Sequence, residues 1–303
     1  MTEATGTADA SSDPAASVAR APLTRTARFA WVAVVVIVAL VVALVVVALT
    51  HTTVVQRSSQ PAAVPTSTLT DLVGLPTSAF DGVGVSAPTS GLRLPHVEPA
   101  TTPELTSGGK PLVFYTGAEY CPFCAAEQWA LVVALSRFGH FTTLYQASSS
   151  GTSAFPGTPT FTFAGSTYVS PYVSFTGIEE YSTTTAPTGG FTQIASLTPS
   201  QRQLVDRFDP AVADAKPFPF VDVANRLVAT AAGFSPAVLH GLSEGAVLAG
   251  LDAPSTPAAQ GILASANALS AGICSATGQR PSTVCTSSGI VTADRALHLV
   301  TPG

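Results

Sequence analysis

The sequence predicts an α/β domain built around one sheet and preceded by a single transmembrane helix. Phe29 to Leu49 is an apolar run without charge, Gly or Pro. From Lys110 onward, strand-like and helix-like segments alternate, which is typical of α/β folds. Where the first of these strands gives way to a helix, Cys121 and Cys124 are separated by two residues. That pair is the strongest functional signal in the chain.

The apolar run from Phe29 to Leu49 is long enough to cross a membrane. At about 1.5 Å per residue, a helix over it spans roughly 30 Å, the thickness of the hydrocarbon core. The apolar stretch of a cleaved signal peptide is shorter, about 7–15 residues. Arg20, Arg25 and Arg28 precede the run, so the positive-inside rule puts the N-terminus in the cytoplasm. We therefore expect a single-pass anchor, held in the lipid bilayer, with the rest of the chain outside.

Composition and spacing divide the chain into four parts. Residues 1–28 are predicted to be a disordered cytoplasmic tail, and residues 29–49 the transmembrane helix. Residues 50–109 are a Pro/Thr/Ser-rich spacer that we expect to be partly packed, and residues 110–300 are one extracytoplasmic domain. The net charge is −5 and the Lys and Arg residues are mostly scattered, so the chain offers no basic surface for nucleic acid.

The first half of the domain reads as strand, helix, strand. Residues 110–117, KPLVFYTG, form a short apolar run bounded by Pro and Gly, which predicts a buried strand. A buried helix follows, with Pro122 at its first position and Gly139 after its last apolar residue. The segment from Phe141, FTTLYQASS, predicts a second strand of the sheet.

The second half adds an insertion, a hairpin and helices. Residues 140–197 are rich in β-branched and aromatic residues and predict a β-rich insertion. A short helix follows Thr198, which suits an N-cap. Phe218 to Gly233 predicts a two-strand hairpin, and two helical runs close the chain.

Three interpretations of Cys121 and Cys124 compete. A zinc site needs a second pair of ligands at similar spacing, and Cys274 and Cys285 are too far apart for one, so we predict no metal. A purely structural bridge across one helical turn would close a very small loop and add little stability. A redox pair is the third interpretation, and the position of the pair favours it.

A cysteine at a helix N-terminus is suited to thiol–disulfide exchange. Unpaired backbone N–H groups and the helix dipole stabilise the thiolate there and lower the pKa of the thiol. A second thiol in the first helical turn can resolve the mixed disulfide. Cys121 is therefore the candidate attacking thiol and Cys124 the more buried, resolving one. Glu119 and Glu127 flank the pair, and we expect both to be solvated.

The other two cysteines are predicted to form a structural disulfide. Cys274 and Cys285 bracket a loop that contains Gly and Pro and follows a helical stretch. Disulfides form and persist outside the reducing cytoplasm, where the expected topology puts this loop.

A strand followed by Cys-Pro-Phe-Cys at the start of a helix resembles the thioredoxin superfamily. That resemblance implies a thioredoxin-like domain and a cis-proline that faces the cysteine pair, just before a two-strand hairpin. Pro219 lies between a predicted helix and a predicted hairpin, which is the order that the fold requires. Pro159 is the alternative, although the residues before it leave no room for a helix.

More closely, the chain resembles a membrane-anchored family known as domain of unknown function 929. The matching stretches include GKPLVFYTGAEYCPFCAAEQWALVVALSRFG, TPTFTFAGSTYVSPYVSF, PFPFVDVAN and ICSATGQRPSTVC. Membership implies a thioredoxin-like domain but supplies no substrate. The chain departs from the wider family at Gln128, where an Arg is expected.

Two function classes remain open. The first is a membrane-tethered extracytoplasmic thiol–disulfide oxidoreductase that uses its two thiols and no cofactor. Its partners would be protein thiol or disulfide clients and a membrane or extracytoplasmic redox partner. The second is a non-catalytic module for binding or cell-envelope assembly, in which a Cys121–Cys124 bridge is permanent.

Overall fold

The computed structural model describes residues 38–40, 61–87, 90–208 and 218–299. The predicted tail at residues 1–28 lies outside these ranges, as does the predicted transmembrane run at residues 29–49 apart from residues 38–40. In the part of the chain that is described, no helix combines the length and the apolar character needed to cross a bilayer. The chain from Pro61 onward forms one unit.

This unit is a mixed α/β fold. Its strands are β1 (His96–Val97), β2 (Thr106–Ser107), β3 (Lys110–Gly117), β4 (His140–Ser148), β5 (Pro159–Val169), β6 (Ser174–Glu179), β7 (Tyr181–Thr185), β8 (Phe191–Gln193), β9 (Phe220–Val223) and β10 (Leu227–Ala229). Its helices are α1 (Thr66–Val73), α2 (Thr77–Val83), α3 (Pro122–Ser136), α4 (Pro199–Phe208), α5 (Glu244–Ala249), α6 (Pro257–Ala276), α7 (Ser282–Cys285) and α8 (Ser288–Leu297). A 3₁₀ turn, Pro236–Leu239, precedes α5.

The cysteine pair follows the end of β3, an inner strand of the central sheet. Its strands run in the order β1, β10, β9, β3, and β6 then pairs with β3 on the other side. β3 and β6 are parallel, whereas β9 and β10 run antiparallel to their neighbours. β2 pairs with the first residues of β3. The end of β3 is therefore braced on both sides just before the chain turns into α3.

The second strand of the sheet is not the one that the sequence suggested. The segment from Phe141 lies in β4, which pairs with β5 in a separate two-stranded sheet. The strand parallel to β3 is β6, which begins at Ser174. β4–β5 and β7–β8 each form a hairpin sheet of their own, and both lie within the predicted β-rich insertion at residues 140–197. β4 and β6 are both rich in residues that favour strands, so strand propensity could not decide which of them pairs with β3.

Helix α3 lies at the centre of the hydrophobic core. Nearly every one of its residues is buried, and Phe123 is the exception. The helix packs against α6, against β4 and β5, and against the 3₁₀ turn. Trp129 is fully buried, and its indole nitrogen donates to the Pro159 carbonyl at 2.8 Å. A helix that is apolar on nearly all sides needs packing partners on each of them, because its apolar side chains must be buried.

The residues before β1 belong to the fold. The backbone N–H of Val64 donates to the Leu144 carbonyl at 2.9 Å, and that of Gln146 donates to the Ala62 carbonyl at 2.7 Å. Phe80 of α2 is buried in the main core beneath the Arg137 guanidinium, which lies 4.1 Å from its ring centre. Much of the predicted spacer over residues 50–109 is therefore packed structure.

The predicted disulfide between Cys274 and Cys285 is present. It links the last turn of α6 to α7, and both half-cystines are buried. The bridge fixes the C-terminal helices to the long helix α6, and it lies in the core cluster of the domain.

Candidate functional site

The two remaining cysteines are free thiols at the start of α3. Cys121 is the N-cap residue, with extended backbone angles, and Pro122 occupies the first helical position. Proline suits that position because the N–H it lacks would have no partner inside the helix. The sequence prediction of a helix beginning at the cysteine pair is therefore correct in its position.

Cys121 is the more accessible thiol, with 9% of its surface exposed. Its sulfur accepts a hydrogen bond from the Cys124 backbone N–H at 3.3 Å. The Cys124 thiol, together with the backbone N–H groups of Cys124 and Phe123, lowers the pKa of Cys121 to about 7, against the opposing effect of burial. Cys121 is therefore substantially ionised at neutral pH, as a nucleophilic thiol must be.

Cys124 has the opposite character. Its side chain is fully buried, and its sulfur accepts from the Ala118 backbone N–H at 3.4 Å. Burial raises the pKa of the Cys124 thiol well above its usual value, and the hydrogen bond to Cys121 and the nearby charges of Cys121 and Glu179 act in the same direction. The two thiols thus differ in accessibility and in pKa, as expected of an attacking and a resolving thiol.

A buried polar network lies behind Cys124. Gln128, one turn further along α3, donates through Nε2 to the Tyr115 hydroxyl at 3.1 Å and to Glu179 Oε1 at 2.7 Å. Its Oε1 accepts from the Thr160 hydroxyl at 2.8 Å. Burial raises the pKa of Glu179 to about 8, so this carboxyl group is mostly protonated at neutral pH. Sequence reasoning had noticed Gln128 alone, as a departure from an expected Arg.

The prediction that both flanking glutamates are solvated was wrong for Glu127. Its side chain is 1% exposed, and its Oε2 accepts from the Gly233 backbone N–H at 2.8 Å. Burial raises the pKa of Glu127 to about 7. Glu119 is half-buried and accepts from the Thr162 hydroxyl at 2.6 Å. The sequence could not show this, because the loop around Gly233 is distant in the chain and covers Glu127 only in the folded molecule.

Of the two candidate prolines, Pro219 directly follows a residue that packs against the thiols. The peptide bond between Phe218 and Pro219 is cis, and the Phe218 side chain packs against the cluster of Ala118, Cys121 and Cys124. Pro219 directly precedes the β9–β10 hairpin. Pro159 begins β5 instead, where its carbonyl accepts from Trp129 and its neighbours pair with β4.

Two aromatic pairs involve the neighbours of the thiols in the chain. Phe123, between the two cysteines, is 43% exposed and meets Phe155 edge to face, with ring centres 6.1 Å apart. Tyr120, directly before Cys121, packs against the cluster of Ala118, Cys121 and Cys124 and stacks on Phe191 with ring centres 4.1 Å apart.

The arrangement of the thiols does not favour a zinc site. Cys274 and Cys285 are bonded to each other, so they cannot complete a set of four ligands with Cys121 and Cys124. Across residues 61–87, 90–208 and 218–299, no group of three or more His, Cys, Asp or Glu side chains is placed to hold a metal ion.

The fold and the site define a mixed α/β protein with an asymmetric pair of thiols at a helix N-terminus. Among known protein families, the model of the Domain of unknown function (DUF929) matches residues 100–275 of the chain. This match covers more than half of the chain, including both thiols, so the protein belongs to the DUF929 family. No curated protein and no solved structure matches the chain.

Proposed function

We propose that the protein is a membrane-tethered, extracytoplasmic thiol–disulfide oxidoreductase that acts on protein disulfides. The observation that carries this proposal is that Cys121 and Cys124, which lie within one helical turn, differ in accessibility and in pKa. Cys121 is partly accessible with a pKa lowered to about 7, whereas Cys124 is fully buried with a raised pKa. A permanent structural bridge has no need of such a difference.

The surroundings of the pair support a thioredoxin-like domain. A buried strand leads into the cysteines, which open a helix, and Pro219 with its cis peptide bond precedes a two-strand hairpin. These are the features for which the sequence resembles the thioredoxin superfamily. The β4–β5 hairpin, between α3 and the parallel strand β6, would then be an insertion into that fold.

The exchange proceeds in two balanced steps. The Cys121 thiolate attacks one sulfur of a client disulfide, so that a Cys121–client bond forms while the client S–S bond breaks and a client thiolate leaves. Cys124 then loses its proton to that departing thiolate and attacks Cys121 Sγ. The Cys121–Cys124 bond forms, and the second client sulfur leaves as a thiolate. The protein has lost two electrons, which the client disulfide has gained.

A full catalytic cycle needs a partner that restores the dithiol. A membrane-bound or extracytoplasmic dithiol protein would transfer two electrons back through the same steps in reverse. Oxidation of client dithiols would use the reverse direction, and the reduction potential of the pair relative to that partner decides which direction prevails.

Trapping of the mixed disulfide tests the proposal. The reduced Cys124→Ala protein, incubated with insulin, should accumulate a covalent insulin adduct that dithiothreitol releases, because no thiol remains to resolve it. The matched Cys121→Ala protein should trap none, because the buried Cys124 cannot reach the client. If neither variant traps insulin and Cys121→Ser unfolds the domain, the pair is structural and the binding-module alternative is supported.

The membrane anchor is proposed from the uncharged run at residues 29–49 and the arginines before it. Protease added to intact cells should digest the domain while a cytoplasmic marker protein survives. Protection of the domain until the cells are lysed would contradict the proposed topology.

A further inference from the structure

The Tyr115 hydroxyl and the Cys124 sulfur border the same small space, which Gly117 leaves open. Tyr115 and Gly117 lie two residues apart on β3, so they face the same side of the sheet. A Cβ atom on Gly117 would overlap the Tyr115 hydroxyl and lie 3.1 Å from Cys124 Sγ. The phenol group is fully buried, and burial together with the nearby Cys124 raises its pKa. Glycine at this position therefore leaves no side chain between the hydroxyl and the sulfur.

Gln128 leaves the Tyr115 hydroxyl free to donate its own proton. Because Gln128 Nε2 donates to the Tyr115 oxygen at 3.1 Å, the single phenolic proton remains available for Cys124 Sγ. Glu179 Oε1 and the Thr160 hydroxyl hold the two ends of the Gln128 amide in this orientation. The hydroxyl that Gln128 orients can therefore donate its proton to a negative charge that forms on Cys124 Sγ.

We propose that Tyr115 is the hydrogen-bond donor that stabilises the Cys124 thiolate in the resolving step, and that Gln128 and Glu179 are positioning residues that orient its hydroxyl. This inference rests on the oxidoreductase function proposed above. Tyr115 keeps its proton throughout, and the proton of Cys124 passes to the departing client thiolate.

The buried position of Cys124 explains why such a donor matters. A thiolate there is out of reach of water, and the Ala118 N–H, at 3.4 Å, is its backbone donor. The titratable groups that face Cys124 are Cys121 from its own helix, Glu179 from β6 and Tyr115 from β3. An ionised Glu179 would oppose the thiolate, whereas the phenol can donate a hydrogen bond to it. Hydrogen bonds to a charged acceptor are stronger than those to a neutral one.

A two-phase reaction measures the resolving step by itself. Reduced protein mixed with 5,5′-dithiobis(2-nitrobenzoic acid) should release one coloured thiolate when Cys121 attacks and a second when Cys124 resolves the adduct. In Tyr115→Phe the first phase should be unchanged, whereas the second should be slower by about tenfold or more. The pH midpoint of the second phase should also rise. Tyr168→Phe is the matched control, because its hydroxyl donates to the Leu135 carbonyl near the other end of α3.

A second variant tests the positioning residues, and it keeps the inference testable if Tyr115→Phe does not fold. Gln128→Met keeps the volume of the side chain but removes the donor to Tyr115, so it should slow the second phase and raise its pH midpoint. Added to Tyr115→Phe, it should have little further effect, since the oriented hydroxyl is already gone.

Two outcomes would overturn the inference, and they differ. If the wild-type protein releases both thiolates and the two variants match its second phase in rate and pH midpoint, Tyr115 has no such role. If the wild-type protein releases none or only one, the proposed function fails and the inference fails with it.

Discussion

At the scale of single residues, position on one helical turn makes two chemically identical side chains different. Cys121 precedes the helix, where unpaired N–H groups converge on its sulfur, whereas Cys124 lies inside the first turn against β3. Helix N-termini stabilise anions, and burial away from donors disfavours them. One turn of backbone therefore separates a thiol suited to attack from a thiol suited to resolution.

The pH dependence of alkylation tests this difference. In the reduced protein, the rate of Cys121 modification by iodoacetamide should rise with pH and level off above about 7, because only the thiolate reacts. Cys124 should remain slow throughout, and peptide mapping by mass spectrometry would assign each adduct. In Cys124→Ala the midpoint for Cys121 should move upward, since the thiol donor is lost. Equal rates at the two cysteines would contradict the assignment.

At the scale of elements, helix α3 is held in place by what covers it. Its own sequence predicts a helix, but the apolar residues point in all directions and need partners on every side. The β4–β5 hairpin, α6, α1 and the 3₁₀ turn supply them. The thiols at its N-terminus are thereby fixed relative to β3 and to the loop that carries Pro219.

The disulfide also holds helices together, and its contribution to the free energy of unfolding can be measured. Cys274 and Cys285 are 11 residues apart, so replacing both with Ala should lower the free energy of unfolding by roughly 2–3 kcal/mol in the loop-entropy account. Urea denaturation with and without dithiothreitol gives the comparison. Reductant should destabilise the wild-type protein to about the level of the variant and leave the variant unchanged. A variant as stable as the oxidised wild-type protein would show that the bridge adds nothing.

At the scale of the whole molecule, a few buried polar side chains join distant parts of the chain. Asn267 of α6 is fully buried and donates to the carbonyls of Phe80 and Gly84 at 2.9 and 2.8 Å. It also accepts from the Arg137 guanidinium at 3.0 Å, so it connects the N-terminal helix α2, the cysteine helix α3 and α6. Ser287 accepts from the same guanidinium at 3.2 Å. The domain is thus completed by residues that precede the predicted start of the fold.

Replacement of Asn267 should therefore weaken the whole unit. Asn267→Ala removes a buried donor from the Phe80 and Gly84 carbonyls and an acceptor from the Arg137 guanidinium, so the free energy of unfolding should fall by about 2–4 kcal/mol. Ser270→Ala, one turn away on the same helix, is the control. The Ser270 hydroxyl is buried and has no hydrogen-bond partner among the described residues, so its removal should be neutral or stabilising. Equal losses from the two variants in urea denaturation would rule out the hydrogen bonds as the cause.

Local signals were sufficient for part of this protein. A strand, a helix that begins at Cys121, a hairpin after Pro219 and a disulfide between Cys274 and Cys285 were all expected from residue order and spacing. Such features depend on neighbours in the chain: backbone groups at a helix end, or two cysteines across a short loop. The oxidoreductase chemistry and the membrane anchor were also inferred from sequence, and they remain proposals.

Strand pairing and the surroundings of the thiols depend on contacts between segments that are far apart in the chain. β4 and β6 have similar strand propensity, but in the folded molecule β6 lies beside β3 and β4 pairs with β5. Tyr115, Gln128 and Glu179 lie on three different elements, and no spacing in the sequence relates them. Their burial, and that of Glu127, comes from segments far away in the chain. Long-range contacts of this kind raise the pKa values of Tyr115, Glu127 and Glu179, which is why the sequence revealed the cysteines and not their surroundings.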